Sequence, residues 1–411
     1  MRYLLSVVLL LGARAALAQP LSLEEALRAA DVHSPRLAAQ RHALASAEHQ
    51  SARAGELPDP KLKLGIDNLP VTGPDRYRYD RDFMTSRTIG VSQEFPNAAK
   101  REARTQRAER ARDVESAAVQ ASRAALQRDV AAAWLDLHFA ASARMALQRL
   151  ARQIELQSGA APSAIARGRQ NAADAFMLRQ AVEEVNDRLI EQERASAKAR
   201  FVLAALIGDA AARPLAEPPD MARVPQPAEA MLARLSEQPQ LRVLERREAL
   251  ARAEVDMARS ERRTDWMLEI EYGQRRPYFD NMLSVMLSFD LPLRRERRQD
   301  RDIASRLAEL EQARAMQEDA RRMREAEVRG WLADLETAER RIGRYEQVLL
   351  PLARERSAAA QAAYRGGRGE LGPVLEAERA LAEAELGRVQ MLAERAKAWA
   401  NLAFLHPQEA P

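Results

Sequence analysis

SQEFPNAAKR, residues 92–101, and SFDLPLRRER, residues 288–297, are one punctuation mark written twice. Each reads Ser-x-acid-apolar-Pro, follows an alternating apolar run, and opens a long charged stretch rich in Ala and Arg. The alternation before each reads as a strand, and a Pro cannot continue a hydrogen-bonded ladder. The Ala- and Arg-rich run after each reads as a helix. The same strand stop and helix start, at Ser92 and again 196 positions later at Ser288, asks what architecture needs both.

Outward from the pair, the likeness continues. HALASAE (42–48) matches EALARAE (248–254) at an offset of 206, and the same offset sets Leu62, Leu64 and Ile66 on Leu268, Ile270 and Tyr272. The offset falls to 196 at SQEFP and SFDLP, so the first copy carries extra residues between its strands. Trp134-Leu135 pairs with Trp331-Leu332 at 197, and Gly168–Leu189 runs beside Gly366–Leu386. The chain therefore reads as two copies of one unit, residues 19–211 and 228–405, joined by the Pro-rich stretch 212–227 and followed by a tail, 406–411. Repetition at so long a period predicts quasi-symmetry rather than a short-repeat solenoid.

Each copy has the same order: helix, strand, loop, strand, very long helix, turn, helix. Leu62, Leu64 and Ile66 alternate with polar or small neighbours, as do Ile89 and Val91; in the second copy so do Leu268 and Ile270, then Val285 and Leu287. The period of two predicts strands at about 60–68 and 86–95, then about 265–275 and 281–291, each with one apolar face. Long helices are predicted over about 98–160 and 294–363, with second helices over about 171–207 and 372–403. At 1.5 Å per residue each long helix would run ~80–90 Å, and their many Ala residues permit close coiled-coil-like packing.

Composition agrees. Aromatics are 5% and charged residues 30%, a profile of long packed helices rather than a compact enzyme core. The net charge of +4 comes almost wholly from Arg spread among 60 acids, with no dense basic block interleaved with aromatics, so no nucleic-acid partner is predicted. MRYLLSVVLLLGARAALAQP has a basic start, an apolar run and Ala16-Leu17-Ala18, which reads as a signal peptide over 1–18 with cleavage before Gln19. Cys is absent, so the mature chain has no disulfide and no lipobox for a lipid anchor. No later apolar run is long enough for a spanning helix; if the chain crosses a membrane it does so as strands.

At this point the residues resemble a known family. From LSLEEAL (21–27) to WANLAFL (399–405) the chain is similar to the TolC-type outer-membrane efflux channels. The resemblance rests on SPRL (34–37), QPQL (238–241), GELPDP (55–60), SQEFP and the turn YRGGRGELGPVLEAERALAEAEL (364–386). QEFPNAAKR and LLPLARERSAAAQAAYRGG (349–367) look most like members serving heavy-metal pumps of the resistance-nodulation-division type. The resemblance implies a mainly α chain with a transmembrane β-barrel, three copies giving a barrel of twelve strands and a helical barrel in the periplasm. Leu62, Leu64, Ile66, Ile89, Val91, Leu268, Ile270, Val285 and Leu287 would face outer-membrane lipid, and Glu269, Glu271 and Ser284 the lumen.

No catalytic, cofactor or metal site is predicted. The five His residues, 33, 42, 49, 138 and 406, form no ligand motif, and GGRG (366–369) is a turn without the Lys-Ser/Thr of a phosphate loop. By motif position the resemblance puts a periplasmic gate at Asp174 and Tyr364, with Glu376 in an acidic ring. Pro373 and Gly369 depart from the pattern, and Arg368 stands beside the latter. The implied function is a passive outer-membrane duct working with a periplasmic adaptor and an inner-membrane pump, heavy-metal cations being among its cargoes. Type I protein secretion on the same fold, and a soluble periplasmic coiled-coil scaffold, are the competing expectations.

Overall fold

The computed structural model describes residues 19–166, 172–222, 224, 226–291 and 293–408; the predicted leader, 1–18, and the first interhelical turn, around Gly168, lie outside them. The first half runs α1 (Leu23–His33), α2 (Pro35–Arg53), β1 (Lys61–Asp67), β2 (Ser86–Phe95), α3 (Ala98–Ala166) and α4 (Ala172–Ile207). The second runs α5 (Ala228–Ala233), α6 (Pro239–Ser260), β3 (Trp266–Gln274), β4 (Met282–Phe289), α7 (Gln299–Arg344), α8 (Leu350–Arg365) and α9 (Leu371–Ala403).

Local chemistry sets the helix starts. Ser22 and Glu25 form a capping box on α1: the Glu25 amide donates to Ser22 Oγ at 3.1 Å and the Ser22 amide to the Glu25 carboxylate at 3.4 Å. SPRL and QPQL do one job twice. Pro35 and Pro239 open α2 and α6, where a missing N–H costs nothing, and the Leu two residues on, Leu37 or Leu241, is buried. Asn97 caps α3, its Oδ1 accepting the Lys100 amide at 2.8 Å.

The chain divides into two compact units. The first comprises Met1–Ala39, Gln120–Pro239 and Arg321–Pro411. Its core includes Leu21, Leu37, Trp134, Leu135 and Phe404, all essentially solvent-free. Trp134 is held through its indole N–H, which donates to the Leu21 carbonyl at 3.1 Å. Leu21 in turn bridges Leu215 in parallel, so the segment before α1 and the interhalf joint are tied. The carboxyl-terminal end is fixed by Gln127, which exchanges 2.9 Å hydrogen bonds with the Gln408 backbone.

The second unit comprises Gln40–Val119 and Gln240–Ala320 and holds the sheet. Its order is β1-β2-β3-β4, all antiparallel, so the central pair joins one strand from each half. Leu64 lies opposite Ile89, Ile89 opposite Tyr272, and Ile270 opposite Val285. Among the described residues the outer edges of β1 and β4 have no strand partner.

Two local features differ from the sequence expectation of one long helix from about 294. After SFDLP the chain makes a 3₁₀ turn at Arg295–Arg297, and α7 begins only at Gln299. The first copy has Asn97 to cap its helix; at the corresponding place the second has Leu293, which carries no acceptor. The helix is then interrupted at Tyr345–Leu349 by a π turn, in which the Leu350 amide donates to the Tyr345 carbonyl. Pro351 follows directly; it lacks an N–H and its ring crowds the preceding turn, and a widened turn accommodates both.

Candidate functional site

The sheet is inside out. Antiparallel partners project to the same side, so the register defines two faces. All nine residues predicted to face lipid fall on one of them. Leu62, Val91, Ile270 and Val285 form one row; Leu64, Ile89, Tyr272 and Leu283 form the next. Leu64 is 72% exposed and Val285 65%, and of the nine only Leu268 is half-buried rather than exposed. The opposite face holds Lys63, Thr88, Ser92, Glu269, Glu271 and Ser284, and at its centre Thr88 and Ser92 are buried, at 9% and 3%. A half-solvated sheet in water does the reverse, covering its apolar face. A contiguous exposed apolar face of this size marks contact with a membrane or another protein.

The apolar face has an aromatic lower border. Phe95, Trp266 and Phe289 lie in register, and the Phe95 and Trp266 rings stack at 4.1 Å. At the other end Arg87 stands level with Ile66, its guanidinium 4.3 Å from the centre of the Tyr79 ring. Aromatic and cationic side chains of this kind sit well where hydrocarbon gives way to water. From Arg87 to Phe95 the strand advances about 26 Å at ~3.3 Å per residue. Tilted ~40°, that is a band roughly 20 Å tall, near the ~25 Å apolar belt of outer-membrane barrels.

Below the aromatic row a polar knot joins the two punctuation marks. The Asn97 amide donates to Asp265 Oδ1 at 2.8 Å, Lys100 Nζ donates to Asp265 Oδ2 at 2.8 Å, and Asn97 Nδ2 adds a bond of 3.0 Å. Burial alone would raise the Asp265 carboxyl, but the Lys100 and Asn97 donors together outweigh it and hold it below the usual range. Sequence reading missed this knot, because its partners lie 165 and 168 positions apart.

The predicted gate residues lie in the other unit. Tyr364, near the end of α8, packs against a cluster from α3, α4 and α9 that includes Ile154, Leu178 and Leu371. Asp174 opens α4 one turn before Leu178, and is half-buried. The predicted partner Arg368 gives its backbone N–H to the Ala363 carbonyl, closing the turn after α8. Glu376 is exposed and lies 3.7 Å from Arg356. Two residues on, Glu378 is buried, accepts from Ser357 Oγ at 2.8 Å, and also receives the Gln361 amide group. Glu378 was not singled out from sequence; its apolar neighbours Ala377 and Ala382 were the available signal.

Among the described residues no group of three or more His, Cys, Asp or Glu is arranged to hold a metal ion, and no helix is long and apolar enough to cross a membrane. His138 stacks on Trp134 and is partly buried, which lowers its pKa.

No protein-family model matches the chain, and no curated protein matches it in sequence. Solved structures do match it in fold. A membrane protein from Pseudomonas aeruginosa is 19% identical, with 93% of each chain covered and a TM-score of 0.79. The outer membrane protein VceC of Vibrio cholerae is 19% identical, with 94% of this chain and 97% of that one covered and a TM-score of 0.75. The Neisseria gonorrhoeae outer membrane channel MtrE, in its open state, is 18% identical over 94% and 91%, at 0.76. The chain thus has the fold of outer-membrane channels, near full length and in both helices and sheet. That is the fold which the resemblance read from the sequence implies.

Proposed function

We propose that the protein is the outer-membrane exit duct of a tripartite efflux system, standing in the outer membrane with its helices in the periplasm. The observation that carries the reading is the inverted sheet, apolar outside and polar within, on the fold of outer-membrane channels. Four strands with open edges cannot close, and spanning barrels need about eight or more. The edges of β1 and β4 would then pair with further copies, and three copies give twelve strands. On this reading the nine apolar residues from Leu62 to Leu287 meet lipid, while Lys63, Glu269 and Glu271 line a water-filled lumen. Closure of the duct would involve Asp174, Tyr364, Arg368 and Glu376.

Such a duct catalyses nothing. Its partners would be a periplasmic adaptor and an inner-membrane pump of the resistance-nodulation-division type, which supplies the energy. The likeness of QEFPNAAKR and LLPLARERSAAAQAAYRGG to heavy-metal members supports heavy-metal cations as cargo. Affinity purification from cross-linked envelopes tests the assignment. A trimer bringing down an adaptor and a pump of that type is the expected outcome, whereas an ATP-driven protein exporter would move it to type I secretion. Release of the protein by sodium carbonate would make it a periplasmic scaffold and end the proposal.

A further inference from the structure

We propose that Leu291 and residues 293–298, LRRERR, form an interfacial anchor that binds the anionic phospholipid headgroups of the periplasm-facing leaflet. The proposal rests on the membrane-spanning reading of the sheet given above.

The segment starts where the apolar band stops. Phe289 stands level with Trp266 and Phe95, and the Asp290 amide still donates to the Asp265 carbonyl at 3.3 Å, so the chain leaves from the foot of the sheet. Leu291 is then 70% exposed and Leu293 86%, although nothing in the strand pattern requires apolar side chains there. Arg294, Arg295, Arg297 and Arg298 follow, all exposed, with Glu296 the one acid among them. None of these four guanidinium groups makes an ion pair or side-chain hydrogen bond with a described residue. The nearest following acid, Asp300, is taken by Arg262, whose Nε lies 3.0 Å away. The first copy differs: at the foot of β2 Lys100 is already bound to Asp265, and the Arg101 beside it is half-buried rather than exposed.

Other arginines of this protein, Arg242 and Arg246 included, also lack an acidic partner among the described residues, but here four cluster at the foot of the sheet beside two exposed leucines, and that juxtaposition calls for a partner outside the chain. That partner must present apolar material at the level of Leu291 and Leu293 and anionic oxygens directly below. A phospholipid leaflet does both. Guanidinium groups bind phosphate through paired N–H donors, and leucines immersed at the headgroup boundary add apolar contact. An acidic protein surface would supply the anions without the apolar layer. The anchor would serve a chain whose sequence offers no Cys for a covalent lipid.

The test compares the full-length protein with a variant carrying Arg294→Gln, Arg295→Gln, Arg297→Gln and Arg298→Gln, and with one carrying Lys at the same four positions. Each is inserted into vesicles of phosphatidylcholine alone or mixed with phosphatidylglycerol. Carbonate washing shows whether it spans the bilayer, and native mass spectrometry counts the phosphatidylglycerol retained. Near an anionic surface each Arg is worth roughly fivefold in affinity, so the Gln variant should lose most of the retained phosphatidylglycerol and the Lys variant little. Added salt should weaken retention by the native protein. Equal retention by the native and Gln forms, both resistant to carbonate, would overturn the anchor and leave the channel reading standing. Loss of all forms to carbonate would overturn the channel reading itself. Native protein that ignores phosphatidylglycerol but binds polyglutamate through these arginines would contradict the lipid assignment in favour of an acidic protein partner.

Discussion

Lys63 and Glu269 stand 206 positions apart, the offset of the sequence repeat, and form an ion pair on the polar face of the sheet. The two halves thus carry opposite charges at matching places and meet across β2. Gly90 makes room for the crossing: a β-carbon added there would sit 3.1 Å from Glu271 Cβ and from the Ile270 carbonyl oxygen. Gly90→Leu should therefore displace the Glu271 side chain and press on the Ile270 carbonyl, lowering the yield of folded oligomer at an overpacking cost of about 1–3 kcal/mol. Heat stability of the oligomer on semi-native gels reads this out, and an unchanged melting profile would argue against the tight packing of that face.

The knot at Asp265 makes stability depend on pH in a stated direction. A carboxyl held below its usual value contributes stability that is complete above the unfolded-state value, ~3.9, and is lost as pH falls through the lower folded value. Asp265→Asn should cost about 2–3 kcal/mol near neutrality, the scale of charge-assisted hydrogen bonds. The gap between native and variant protein should narrow as the pH drops below about 4. Urea unfolding at neutral and acid pH measures both, and a gap that does not change with pH would remove the ionised carboxylate from the account.

How much of this was legible beforehand follows from range. Period-two alternation at Leu62–Ile66 and Val285–Leu287 is a local signal, and it marked the strands and which residues share a face, because one-residue steps flip a side chain between faces. The doubled Ser-x-acid-apolar-Pro signal marked the ends of β2 and β4, because its Pro cannot continue a hydrogen-bonded ladder. The later start of α7 turns on a missing cap at Leu293, a subtler local feature. The Asn97–Lys100–Asp265 knot, the buried Glu378 and the seating of Tyr345 on α9 depend on residues brought together by packing, and no periodicity announces them.

Tyr345 supplies the third prediction. It sits in the π turn and rests on Gly387 of α9, where an added β-carbon would lie 2.7 Å from the Tyr345 Cζ. Gly387→Ala, normally favourable in a helix, should instead destabilise the protein by about 1–3 kcal/mol. Tyr345→Ala in the same chain should relieve most of the added cost. Unfolding of the single and double variants forms the cycle, and additive effects would show that the two residues do not constrain one another.

The closure proposed for Asp174 and Tyr364 is open to test. Exposed polar links are typically worth only ~0–1 kcal/mol each, so a closed state would need several per oligomer and removal of a pair should tip it. Asp174→Ala with Tyr364→Phe should raise single-channel conductance in planar bilayers. Glu376→Gln should leave conductance alone and weaken cation preference, and by a modest margin, since Arg356 lies 3.7 Å from that carboxylate. Unchanged conductance and unchanged selectivity would return these positions to ordinary turn residues.

In the proposed duct one face of the sheet meets lipid and the other meets water. Val285 lies in the middle row of the apolar face, and Glu269 sits on the polar face of the neighbouring strand. An Arg at a mid-bilayer lipid-facing site costs about 2–4 kcal/mol, whereas one in a lumen is solvated. The direct measurement is the amount of folded, carbonate-resistant oligomer in cell envelopes for Val285→Arg against Glu269→Arg, with ion selectivity recorded for whatever assembles. A sharp loss for Val285→Arg, with Glu269→Arg assembling and shifting selectivity toward anions, is the predicted result. Equal assembly of both variants, or a greater loss for Glu269→Arg, would contradict the facing and with it the channel.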